Sequence, residues 1–296
     1  MLKLFLAPAL VVASSLAGRR WGPGLAGTLV ALPIVAGPIL AITLLDHGPA
    51  FAARAAGSSL LGLVSLALFA VVFAELSRLP RTGHWVPALL LAWSACLAAD
   101  LLLAQLSVPP VLALGLSFTA TACGVKALAR TTGGPVPPSP RPPRWDLPAR
   151  AAATALLVTA LTTAAAQLGP GTTGVLAPFP IGTSVVAAFA LAQGGPAVAG
   201  ATLRGVLRGL WGFAVFCFLV AVLAEPLGGG TAFAIAVVCT LKLQLAIGRL
   251  QSARIARRSH LAAHADQDWA GAGRGPGLQA EHACRAPGSR SVSGRP

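Results

Sequence analysis

Apolar runs separated by short stretches bearing charge, Pro or Gly extend from the first residues of the chain to about Gln251. A helix needs roughly 20 residues to cross a hydrocarbon core. Runs near that length lie at Leu2 to Gly18, Gly24 to Leu45, Ala55 to Leu76, Val86 to Leu106, Pro109 to Ala129, Ala151 to Leu168, Thr172 to Gln193, Val206 to Ala224 and Thr231 to Leu250. They predict an all-α, polytopic transmembrane bundle of about nine helices. A β-barrel, the other structure that satisfies its backbone in lipid, would alternate apolar and polar residues in short segments, and these Ala/Leu/Val runs do not. The division at Ser107 to Pro110 rests on SVPP alone, with no charge to mark it. Two spans fit the length there better than one overlong broken segment.

The chain also matches itself. At an offset of 147 residues, GPGLAGTLVALPI (Gly22 to Ile34) aligns with GPGTTGVLAPFPI (Gly169 to Ile181), and Gly48, Pro49 and Ala50 align with Gly195, Pro196 and Ala197. From Gly22 to Ala52, 13 of 31 positions are identical. Ala-rich composition inflates such a count, but matched Gly-Pro pairs and a matched interior proline are residues with positional meaning. The first unit takes in helices one to four and the second takes in helices six to nine, so the extra fifth helix turns the second copy over. Two repeats of inverted topology are expected, the arrangement on which many secondary transporters are built. Duplication of a small ancestor without any transport would leave the same trace.

Charge then orients the bundle. Arg19, Arg20, Arg78, Arg81, Lys126, Arg130, Arg141, Arg144, Arg150, Arg204, Arg208 and the cluster Arg249, Arg254, Arg257 and Arg258 fall on one side of nine alternating spans. The other side receives little beyond Lys3 and Arg54. By the positive-inside rule the first side is cytoplasmic, with the N-terminus outside and the C-terminus inside. The net charge of +14 is therefore an orientation signal, and nucleic acid is not an expected partner. Hydrophobic residues make up 55% of the chain and charged ones 10%, against roughly 25% charged in soluble domains, which sets a water-soluble fold aside.

Four regions follow: residues 1–129, the first repeat with the fifth helix; 130–150, a Pro/Arg-rich cytoplasmic linker; 151–250, the second repeat; and 251–296, a basic tail without apolar periodicity, expected to be disordered. The opening MLKLFLAPALVVASSLAG has the build of a signal peptide, but Arg19 and Arg20 directly after it suit a retained helix better. Cys96, Cys123, Cys217 and Cys239 lie in apolar runs as small buried residues. No metal site or cofactor is expected: His260 and His264 have i, i+4 spacing but lack a third ligand. No enzyme motif is present, whether GxSxG, HExxH or a Walker loop.

Candidate chemistry sits at helix breaks and intramembrane charges. Pro33, Gly37 and Pro38 break helix two, and Pro178, Pro180 and Gly182 break helix seven. Each break frees backbone groups near mid-membrane, which a ligand at the repeat interface or a packed kink would satisfy; Thr183 and Ser184 add hydroxyls that serve either reading. Asp100 in helix four and Lys242 in helix nine hold corresponding places in the two repeats and are expected to pair, unless Lys242 snorkels and Asp100 lies near the outer interface. Arg204 and Arg208, one turn apart at the start of helix eight, suit an anionic lipid headgroup.

The stretch GVLAPFPIGTSVVAAFAL (Gly174 to Leu191), followed by GGPAVAGATLRGVLRGLWGFAVFCFLV, resembles the middle of the GlpM-type proteins, small bacterial inner-membrane proteins of about four helices. Gly174, Pro180 and Trp211 occupy the places of that family's Gly, Pro and Trp. The first repeat keeps Gly27 and Pro33 but has Val64 in place of the Trp. The resemblance implies a tandem-duplicated relative of a family linked to glycerol 3-phosphate metabolism and exopolysaccharide phenotypes, and carries no catalytic residue over. Together these readings give a multi-pass protein of the bacterial inner membrane, in contact with the lipid bilayer, that moves a small-molecule solute between inverted repeats. The alternative is a scaffold or assembly factor for envelope or exopolysaccharide metabolism.

Overall fold

The computed structural model describes residues 2–21, 28, 36–79, 85–106, 108–131, 143–168, 179–244 and 246. Every regular element among them is helical: α1 (Leu2–Trp21), α2 (Ala36–His47), α3 (Pro49–Leu76), α4 (Trp85–Leu103), α5 (Pro110–Thr131), α6 (Asp146–Leu168), α7 (Ile181–Leu223) and α8 (Gly229–Gln244). Among the described residues, four helices are long and apolar enough to cross a membrane: Pro49–Leu76, Trp85–Leu103, Pro110–Arg130 and Ile181–Leu223. This is compatible with an integral membrane protein. The expected disordered tail and the cluster from Arg249 to Arg258 lie outside the described residues.

Eight helices are described where the apolar runs predict nine, because α7 contains two of the predicted spans. Its one non-helical residue is Gly195, at φ 75° and ψ −176°. That positive-φ setting with extended ψ is open essentially to glycine alone and costs another residue on the order of 1–3 kcal/mol. Pro196 follows at the first helical position, where its missing N–H goes unused. A single residue thus turns the chain, and the polar loop expected before Val206 is helix. Arg204 and Arg208 consequently lie within the second arm of α7 and not at its start.

Gly48 does the same between α2 and α3, at φ 80° and ψ 176°, with Pro49 opening the next helix. These two glycines are 147 residues apart. Burial follows the same offset: of the twelve buried residues of α3, eleven have a buried counterpart 147 positions on in α7. Ala52 and Ala199, Leu60 and Leu207, Gly62 and Gly209, Leu63 and Leu210, Ala67 and Ala214, and Phe69 and Phe216 are such pairs with identical residues. The exception is Ala74, whose counterpart Ala221 is half-buried.

Side-chain contacts fix the helix directions. Ser117 Oγ of α5 donates to the Leu60 carbonyl at 2.6 Å, and Gly124 faces Val71, so α5 runs parallel to α3. Against α7 the order reverses: Trp211 Nε1 donates to Thr121 Oγ1 at 3.1 Å, Gly124 faces Leu207, and Arg204 Nη2 donates to the Leu128 carbonyl at 2.8 Å. The second arm of α7 is therefore antiparallel to α3, with α5 packed against both. Helices α2 to α5, α7 and α8 share one apolar core containing Leu60, Phe69, Phe73, Leu128, Leu207 and Phe216. A smaller cluster joins Val11 of α1 to Val185 and Val186 of α7, with Ala153 and Leu157 of α6 beside it.

Candidate functional site

The predicted turn at SVPP separates α4 from α5, since Pro110 can open a helix but cannot continue one. This sets the length of α4. Along it, Trp93, Cys96 and Asp100 recur at the three- and four-residue spacing of one helical face. Ala88 and Ala92 on the same side are fully buried and keep the helix close to its neighbours.

Asp100 is 5% exposed. Cys96 Sγ lies 3.8 Å from its Oδ2, and Ser65 of α3 lies beside its carboxyl. Ser65 is fully buried and its Oγ has no well-formed hydrogen bond. The expected ion pair does not form: Lys242 is exposed on α8, and among the described residues the ion pairs are Arg19–Asp146, Arg78–Glu75 and Arg150–Asp146. A long lysine stem readily turns outward to the surface, whereas a short aspartate side chain two turns from Trp93 stays where its helix puts it.

Two turns back along the same face from Asp100, Trp93 Nε1 donates to Ser184 Oγ at 2.8 Å, and the Trp93 and Phe179 rings lie 5.2 Å apart. Phe179, Pro180, Thr183 and Ser184 are all buried, and α7 begins among them at Ile181. The Ser184 N–H bonds the Pro180 carbonyl at 2.8 Å. At 1.5 Å per residue, Trp93 is roughly 12 Å from the start of α4 and Ser184 roughly 15 Å from the break at Gly195, near the middle of a 30 Å core. Asp100 lies about 10 Å further along, in the last turn of α4. Of the other predicted residues, Pro33 and Pro178 lie outside the described residues, as does Gly174. Pro38 belongs to α2, with its side chain outside the description. Arg204 caps the C-terminal carbonyl of Leu128, a favourable place for a cation, while Arg208 is exposed.

A second polar cluster was not anticipated. Asp146, at the start of α6, is 1% exposed and accepts from Arg19 Nη2 at 2.8 Å, Arg150 Nε at 2.9 Å and Gln193 Nε2 at 2.6 Å. Arg150 also stacks over Phe189, its guanidinium carbon 4.8 Å from the ring centroid. The network joins the end of α1, the start of α6 and the first arm of α7 at the end of the bundle that carries Arg19 and Arg20. Burial pushes the Asp146 carboxyl up, but the bonds from Arg19, Arg150 and Gln193 and the charge of Arg150 outweigh it and hold the group below the usual carboxylate range. Asp146 stands in the proline-rich segment, where polar residues are common; only its i, i+4 spacing to Arg150 signals a partner.

No family model, curated protein or solved structure matches the chain.

Proposed function

We propose that the chain is a secondary transporter of a small solute, built from two halves of inverted topology, with its solute path beside the interrupted start of α7. The observation that carries this reading is a shared break. Gly48-Pro49 and Gly195-Pro196 take one backbone geometry 147 residues apart, and the arms that follow them, α3 and the second arm of α7, run antiparallel with matched burial. Nine spans follow if α7 is counted as two, with α5 between the halves. In this reading the end bearing Arg19, Asp146 and Arg150 faces the cytoplasm of a bacterium, the N-terminus is outside, and Arg208 meets lipid headgroups. A helix that begins inside a bundle presents unpaired N–H groups and hydroxyls at mid-membrane, which is where transporters of this architecture hold their solutes.

A single cysteine replacing Thr183, in a background without native cysteines, tests the path. The reading expects a membrane-impermeant maleimide to reach it through water from at least one face of sealed vesicles. A cysteine inert from both faces means a packed kink. The scaffold reading then takes precedence, and one observation already speaks for it: Leu60, Phe69, Leu207 and Phe216 fill the meeting of α3, α5 and α7 with side chains that are wholly or almost wholly buried.

A further inference from the structure

The proposed path leaves one group without a task. Asp100 is a buried carboxyl within a helix long and apolar enough to span a membrane, and among the described residues no cation pairs with it. The groups that face it are Cys96 of its own helix and Ser65 of α3. The charged residues on the helices packed against α4 are engaged or turned elsewhere: Arg54 and Glu75 of α3 are exposed, Arg204 of α7 binds the Leu128 carbonyl, and Arg208 is exposed. Lys242 of α8 is exposed.

An unpaired carboxylate costs on the order of 2.5–3.5 kcal/mol at the centre of a membrane helix on insertion scales, and less toward the helix end where Asp100 stands. Its place in the last turn of α4 adds to this, because the negative end of the helix dipole opposes a negative charge there. Both costs vanish when the carboxyl holds a proton. Ser65 Oγ, buried beside the carboxyl, can serve it in both states, since a hydroxyl donates to the carboxylate and accepts from the acid O–H. A metal cation has little to hold it: among the described residues no group of three or more His, Cys, Asp or Glu side chains comes together, at Asp100 or elsewhere, and hard cations take six or more oxygen ligands. A thiol is a poor ligand for such ions.

From this juxtaposition we infer that Asp100, with Ser65 and Cys96, is a proton-binding site, and that solute movement is coupled to the proton it takes up and releases. The second clause rests on the transporter reading; the first does not. The reversible step is transfer of one proton between water and an Asp100 carboxylate oxygen, with no other bond made or broken. Asn in this position copies the neutral acid in shape and hydrogen bonding but cannot titrate.

Dicyclohexylcarbodiimide is the probe, because it adds to protonated carboxyls in apolar surroundings and leaves ionised ones in water untouched. Purified full-length protein in liposomes is treated over a pH series, and adducts are located by mass spectrometry of peptides. The expected result is one adduct on Asp100. Its rate of formation falls about tenfold per pH unit once the carboxyl ionises, it is absent in Asp100→Asn, and it is altered in Ser65→Ala. Measurement on the unmodified chain keeps the test independent of how the variants fold. An unreactive Asp100 at every pH overturns the proposal, as does protection by excess sodium at fixed pH, which would make the site a cation site. The two readings fail separately. Labelled Asp100 with Thr183 sealed from water on both faces leaves a proton site without a transporter; unlabelled Asp100 with an accessible Thr183 leaves a transporter without this proton site.

Discussion

Replacing Asp146 by Ala removes the centre of the one buried ionic network described. It leaves the Arg150 side chain, 10% exposed, without its counter-ion, while Arg19, at 33% exposure, recovers water. Breaking a buried pair by deleting one partner costs about 3–5 kcal/mol, most of it the penalty of the charge left behind. The Arg19 bond adds little, since a third-exposed cation is screened. At roughly 2–4 °C per kcal/mol for a body of this size, Tm should drop by about 6–20 °C. The chain supplies its own reporter: Cys96 and Cys217 are fully buried, and a fluorogenic maleimide reads their exposure on heating in detergent once Cys123, Cys239 and the tail Cys284 are replaced by Ser. The double variant with Arg150→Ala should lose much less than the sum of the single losses, because it removes the orphaned charge along with its partner. A Tm for Asp146→Ala equal to that of the parent, or strictly additive single losses, would refute the network as a structural tie.

Gly48→Ala and Gly195→Ala should each destabilise by about 1–3 kcal/mol and by similar amounts, since both glycines hold the same positive-φ geometry; the maleimide melt checks this, and a harmless change at either site contradicts the assigned backbone. Acid should act through Asp146. Its carboxyl is held below the usual range, so its contribution is complete above an unfolded-state pKa of about 3.9 and is lost as pH falls through the lower folded value. Melts at falling pH should therefore show a loss of stability below about pH 4 that Asp146→Asn reduces, and equal acid sensitivity in the two proteins would exclude Asp146 as its source.

How much of this was legible beforehand depended on which residues carried the signal. Proline and glycine spoke clearly: SVPP parted α4 from α5, and the offset that pairs Gly48 with Gly195 picked out the two residues that share a conformation. The reach of helices is less legible, because a polar stretch can stay helical. The stretch from Gly194 to Gly205 carries Gln193 and Arg204 at its borders, yet one left-handed glycine suffices to turn the chain, and helix resumes at Pro196. Pairing of charges was the least legible. Asp100 and Lys242, expected to pair, do not meet, while Asp146 finds Arg19 and Gln193 from 127 and 47 residues away, a juxtaposition set by packing of α1, α6 and α7 that no local pattern records. Asp100 itself was identifiable from sequence as an intramembrane charge; its seclusion with Ser65 and Cys96 was not.

The central claim, that the two halves are inverted copies, is tested most directly by single cysteines at the corresponding positions Ala50 and Ala197. Each follows a Gly-Pro break, Ala50 is exposed and Ala197 half-buried, and sealed right-side-out and inside-out vesicles treated with an impermeant maleimide report the side of each. Inversion predicts that Ala50→Cys reacts only from outside and Ala197→Cys only from the cytoplasmic side. Reaction of both from the same side would contradict it.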